Sequence, residues 1–262
     1  VLATNANING QTYIANGLEL SGATLTINDQ LFYGGTQSIS GTGNIVFSGS
    51  GTTYLYRQNA NTTLTIGSGI TVGANAGTGS TYLGYHADET IILQGTLNAN
   101  TDKTWRTGTF TNQGTINASA GSVNLGQAGS GVATVTNSSA INLSTGGTLN
   151  LYGNTTRASL IGGTINQTGG SAQITGTLDL QGGTLNLSAL GLTSLNLTNS
   201  GATNVLVGGG AGNELTANAG FALTSTGGQL NGVKLGTNLA GNGQPYIANG
   251  LELSGATLTI ND

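Results

Sequence analysis

The chain has 262 residues, of which five are Lys or Arg, nine are Asp or Glu, and none is Cys or Met. At 5% charge, against a usual ~25% for globular proteins, it lacks an ordinary globular surface, and its five cations (Arg57, Lys103, Arg106, Arg157, Lys234) form no basic stripe, which excludes nucleic acid as an expected partner. Disulfides and thiol chemistry are excluded by the absence of Cys, and a charged disordered tail by the regularly placed apolar residues, 36% of the total.

Along the chain the pattern is that of short strands. GLELSGATLTIND alternates Leu18 and Leu20, then Leu25 and Ile27; NTTLTIGSGITVGA alternates Leu64 and Ile66, then Ile70 and Val72. GTLNLYG gives Leu149 and Leu151, and GTLDLQGGTLNLSAL gives Leu178 and Leu180, then Leu185 and Leu187. Each reads as a strand with one apolar face, bounded by Gly, Asn, Ser or Asp, which tolerate turns. No stretch of helical length places apolar residues at 3.6 spacing.

Related phrases then recur at intervals. TYLYRQNANTTLTIGSG begins at Thr53 and TYLGYHADETIILQGTL at Thr81; FTNQGTIN begins at Phe110 and VTNSSAIN at Val135; GGTIN begins at Gly162 and GGTLN at Gly182. Recurrence at roughly 20 to 28 residues matches one turn of a β-solenoid, whose coils carry two or three strands and stack on their neighbours. The expected fold is therefore all-β, a single-chain parallel β-solenoid. Its inward Leu, Ile and Val would form aliphatic columns, and its outward Thr, Asn and Ser would hydrogen-bond from coil to coil.

The chain closes on a duplication. NGQTYIANGLELSGATLTIND from Asn9 returns as NGQPYIANGLELSGATLTIND from Asn242, differing only where Thr12 becomes Pro245, and an offset of 233 residues separates Tyr13 from Tyr246. The reading is one full repeat unit, 1–233, followed by the start of the next, 234–262, in the same register as 1–29. About ten coils per unit, at ~4.8 Å per coil, would advance the chain roughly 50 Å. The sequence thus reads as a window on a longer array in which adjacent repeats of the same chain are each other's partners.

FTNQGTINASAG, VTNSSAINLSTGGTLNLYG and LNGVKLGTNLAGNGQPYIANGLELSGATLTI resemble the coils of filamentous-haemagglutinin-type and autotransporter-type surface adhesins. The resemblance covers most of the chain. It implies a right-handed β-helix exported to the outside of a Gram-negative cell, as part of the shaft of a very long fibre or adhesin. No membrane insertion is expected of this segment, which has no apolar run of spanning length.

Chemistry-bearing residues are few. Asp88, Glu89, Asp102, Lys103 and Arg106 cluster with His86 and Trp105, but such charges more often make loop-capping surface ion pairs of little energetic weight; neither an enzyme nor a cofactor is expected. GGGAGNELT at 208–216 has Asn213 where the calcium-binding nonapeptide needs Asp, so no metal is expected either. The aromatic residues are more suggestive, nine of thirteen lying between Phe32 and Phe110. If Leu55 and Leu83 face inward, Tyr54 and Tyr82 face outward on adjacent coils. The candidate contact patch is accordingly Tyr54, Tyr56, Arg57, Tyr82, His86, Trp105 and Arg106, with surface glycans or neighbouring fibres as partners. A carbohydrate-binding or carbohydrate-cleaving β-helix is the alternative function.

Overall fold

A computed structural model describes the chain except for residues 78, 130, 199–205, 209–211, 244 and 262; part of the rejected calcium motif, 209–211, therefore lies outside the described residues. Among the described residues nearly all regular structure is β, in two parallel sheets of 12 and 19 strands. One helical turn, Arg157–Leu160, interrupts them, capped reciprocally by Thr156 and Ser159. The long parallel sheets are compatible with a β-solenoid.

The strand pairings resolve into three ladders. The 12-stranded sheet is the first, beginning with Gln11–Ile14, Gln30–Tyr33 and Thr53–Arg57 and ending with Leu258–Asn261. The longer sheet holds the other two. Glu89–Leu93 pairs with Thr62–Ile66 and with Thr109–Asn112 in the second ladder, while Thr96–Ala99 pairs with Ile70–Ala74 and with Thr115–Ala118 in the third. Four strands, Leu18–Ile27, Gln37–Phe47, Gln229–Leu235 and Tyr246–Leu253, run through both ladders, with register shifts at Ser21/Ala23 and Asn231/Val233 that turn the chain at the corner.

Alternation along each strand places one residue in two inside, and parallel pairing then stacks like upon like. In the third ladder Val72, Leu97, Ile116, Ile141 and Ile165 follow one another in register, all at most 2% exposed. Each such residue removed from water is worth roughly 1.5–3 kcal/mol, so the column stabilises stacking without any disulfide. Outside it runs a chain of amides: Asn117 donates to Asn98, Asn142 to Asn117 and Asn166 to Asn142, at 2.8, 2.8 and 2.9 Å. An amide both donates and accepts, which lets one residue type continue this ladder without charge. Corners need glycine where backbones crowd: a Cβ on Gly114 would lie 2.0 Å from the Gly95 carbonyl oxygen.

Two of the three recurrent phrases mark ladder partners, Thr53 with Thr81 and Phe110 with Val135. GGTIN and GGTLN are not paired: Ile165 donates instead to the Leu190 carbonyl, after a turn in which Leu187, Leu190 and Leu192 bury their side chains. The strand expected through Leu185 and Leu187 stops at Asn186.

The duplicated segments make equivalent bonds. Ala6 pairs with Leu25 and Leu239 with Leu258; Leu2 pairs with Leu20 and Leu235 with Leu253. Asn28 donates to Asn9, and Asn261 to Asn242. Thr24 and Thr257 donate their backbone N–H groups to Asn5 and Asn238.

Candidate functional site

The outward side of the first ladder carries an aromatic face. Leu31, Leu55 and Leu83 point inward and are 0–1% exposed, so alternation sends Phe32, Tyr54, Tyr56 and Tyr82 outward. Register stacks them: Phe32 is opposite Tyr56 and Tyr54 opposite Tyr82, with ring centroids 4.7 and 5.2 Å apart. Tyr54 and Tyr82 are nearly parallel, at 8°. Arg106 takes the next position, opposite Tyr82; its guanidinium lies 5.5 Å from that ring and donates to the phenolic oxygen at 2.9 Å. Phenols with polar tips and a guanidinium together make an amphipathic surface.

A turn completes the face. After Ser80–Leu83 the chain turns at Gly84, whose φ of +84° suits glycine, and presents Tyr85 and His86. Tyr85 meets Tyr82 and Tyr54 edge-on at 5.0 and 5.8 Å, and His86 packs edge-on against Tyr85 at 4.9 Å. Arg57 clamps the turn through a two-oxygen ion pair with Asp88, the shortest distance being 2.6 Å. Burial, then the neighbouring phenols, raise the hydroxyl pKa of Tyr54 and of Tyr56 above the ordinary value. Both rings therefore present neutral O–H groups through the physiological range.

Glu89 supports this turn from inside. It begins the strand Glu89–Leu93 at an inward position and is 0% exposed. One carboxylate oxygen accepts from the Tyr33 hydroxyl at 2.9 Å and the Arg57 backbone N–H at 2.7 Å; the other accepts from the backbone N–H groups of Tyr85 and of His86, the latter at 2.8 Å. Each oxygen is thus occupied by two donors, which satisfies a buried charge with fixed dipoles. The Tyr33 phenol is pushed strongly up by its own burial and by Glu89.

The seven residues singled out from sequence divide accordingly. Tyr54, Tyr56, Arg57, Tyr82, His86 and Arg106 gather on this face, although Tyr82 is only 8% exposed because its neighbours cover it. Trp105 does not belong there. It pairs with Thr81 and Val123 at an inward position, is 0% exposed and packs edge-on against Phe47 at 5.5 Å, because consecutive strand residues face opposite sides and Arg106 takes the outside. Phe32 and Tyr85 join the patch unforeseen; a 24-residue alignment of Phe32 with Tyr56 would have revealed the first, but Tyr85 lies in a turn, where strand alternation has no reach.

The charge cluster is dispersed as well. Glu89 and Lys103 are buried rather than making surface pairs, and the Lys103 ammonium donates to the Gly49 carbonyl at 2.8 Å, its pKa lowered by desolvation. Asp88 is taken by Arg57 and Asp102 is exposed. Among the described residues no group of three or more His, Cys, Asp or Glu is placed to hold a metal ion, and no helix is long and apolar enough to cross a membrane. No protein-family model, curated protein or solved structure matches the chain.

Proposed function

We propose that this chain is a shaft repeat of a giant extracellular fibre or adhesin on the surface of a Gram-negative cell, a right-handed β-solenoid of about ten coils per 233-residue repeat. Its work is structural: successive repeats stack end to end within one chain, and the aromatic face supplies an adhesive contact to neighbouring fibres or surface glycans. The carrying observation is the equivalence of the duplicated segments, which repeat the Ala6–Leu25 and Asn9–Asn28 contacts as Leu239–Leu258 and Asn242–Asn261. A segment that re-forms its own ladder bonds 233 residues later lengthens a rod while needing no new core. Electron microscopy of the native material tests this. Thin rods with an axial repeat of roughly 50 Å are expected from ~4.8 Å per coil, and compact particles without a repeat would defeat the reading.

The half-buried Tyr54 and Tyr56, beside Arg57 and Arg106, favour a second reading, a carbohydrate-binding or carbohydrate-cleaving β-helix, since aromatic rings with polar tips combine apolar contact with hydrogen bonding. Incubation with bacterial and host polysaccharides discriminates the two. Cleavage of polysaccharide, or retention lost in Y54A by material that forms no rods, supports the second reading; rods that do not cut polysaccharide, whether or not they retain it, leave the shaft role.

A further inference from the structure

The two copies of the duplicated segment make the same bonds on different faces of the fold. In the first copy Leu25 pairs with Ile45 and stands in the third ladder, and Tyr13 stands in the first, opposite Phe32. In the second copy Leu258 stands in the 12-stranded sheet, the first ladder, and Tyr246 stands opposite Gln229 in the second. Leu20 and Leu253 differ in the same sense, second ladder against third. Every counterpart has moved one face onward in the direction of winding.

We propose that the 233-residue repeat is out of phase with the coil by one face, so that tandem copies carry the Tyr54–Tyr82–Arg106 surface around the fibre in steps of one third of a turn. This rests on the shaft reading. Tyr13 lies in the first strand of the first ladder and Tyr246 just past its eleventh, Leu239–Asn242, so one repeat spans about ten and one third coils. A parallel ladder holds each strand only against the strands one coil before and one coil after it. Residues 2–28 contain both partners of their own pairings, so the segment closes with the same register on whichever face it arrives, and the path length between the copies decides that face. Three repeats restore the original face, after roughly 150 Å at ~4.8 Å per coil. The fibre therefore offers its aromatic contact on all three sides in succession, an arrangement suited to a neighbour on every side rather than to one sticky edge.

The chain has no cysteine, so designed pairs report cleanly. Ala240, the counterpart of Asn7, is opposite Thr224 in the first ladder, whereas Thr216 lies in the third, the ladder in which Asn7 stands. Directly paired strand positions lie within the Cα separation a disulfide requires. Mild oxidation should cross-link T224C/A240C and leave T216C/A240C reduced. The reverse result places Ala240 on the same face as its counterpart Asn7 and overturns the one-third step while leaving the fibre intact. A three-repeat array imaged by cryo-electron microscopy gives the second readout. Aromatic faces displaced by one side per repeat are expected; a rod with all of them on one side again overturns the step alone. Failure to form a rod overturns the shaft reading, and the cross-link then still decides the step within this chain.

Discussion

Replacing Glu89 with Gln preserves shape and removes the charge that four donors converge on. The amide oxygen would keep the Tyr85 and His86 N–H groups, leaving the amide NH2 toward Tyr33 and Arg57. The Tyr33 hydroxyl can reverse and accept, but the Arg57 backbone N–H cannot, and faces another donor. One orphaned buried donor costs about 1–3 kcal/mol, and weakening two charge-assisted bonds to neutral ones adds up to ~1 kcal/mol. E89Q should therefore lose about 1–4 kcal/mol. The sole tryptophan, Trp105, is wholly buried in the strand that pairs with Ser80–Leu83, so its fluorescence during guanidinium denaturation reports the loss directly as a lower midpoint. A variant within about 0.5 kcal/mol of the parent, the ordinary range for surface substitutions, would refute the assignment of Glu89 as the anchor of the Tyr85–His86 turn.

Gly114→Ala drives a Cβ to 2.0 Å from the Gly95 carbonyl and should cost about 2–3 kcal/mol by forcing backbone movement; Gly73→Ala, with nothing within 4 Å, should be neutral in the same guanidinium denaturation. Asn117→Asp removes the donor to Asn98 and opposes two acceptors, so about 1–2 kcal/mol should be lost at pH 7 and partly recovered at pH 3, where the carboxyl can donate. Few groups couple folding to pH between 4 and 9, and the denaturation midpoint should vary little there or with salt. Desolvation lowers the Lys103 pKa, so from that lowered value up to the ordinary lysine value the unfolded chain holds the extra proton and stability rises with pH. Above about pH 10 the raised Tyr33 reverses the slope, because the unfolded chain releases a proton that the folded chain keeps, at up to ~1.4 kcal/mol per pH unit. Midpoints measured from pH 7 to 11.5 should fall less steeply at the alkaline end in Y33F; parallel profiles would contradict this.

Local pattern by itself determined the all-β class, the inward identity of Leu25, Leu64, Ile70 and Leu149, and the stacking of Tyr54 on Tyr82, because a period of two fixes which side a residue faces and a 28-residue phrase fixes what lies above it. The same rule, carried one strand further, assigns Trp105 to the interior, where it lies against Phe47. Only tertiary structure decided matters that depend on path rather than period. Corners of unequal length brought Tyr85 and His86 over the aromatic stack and turned Glu89 inward beneath them, and the inserted turn at 187–192 broke the resemblance between GGTIN and GGTLN. Path length also decided on which face the second YIANGLEL came to rest, since identical residues make identical bonds on any face of a coil and cannot encode how many corners precede them.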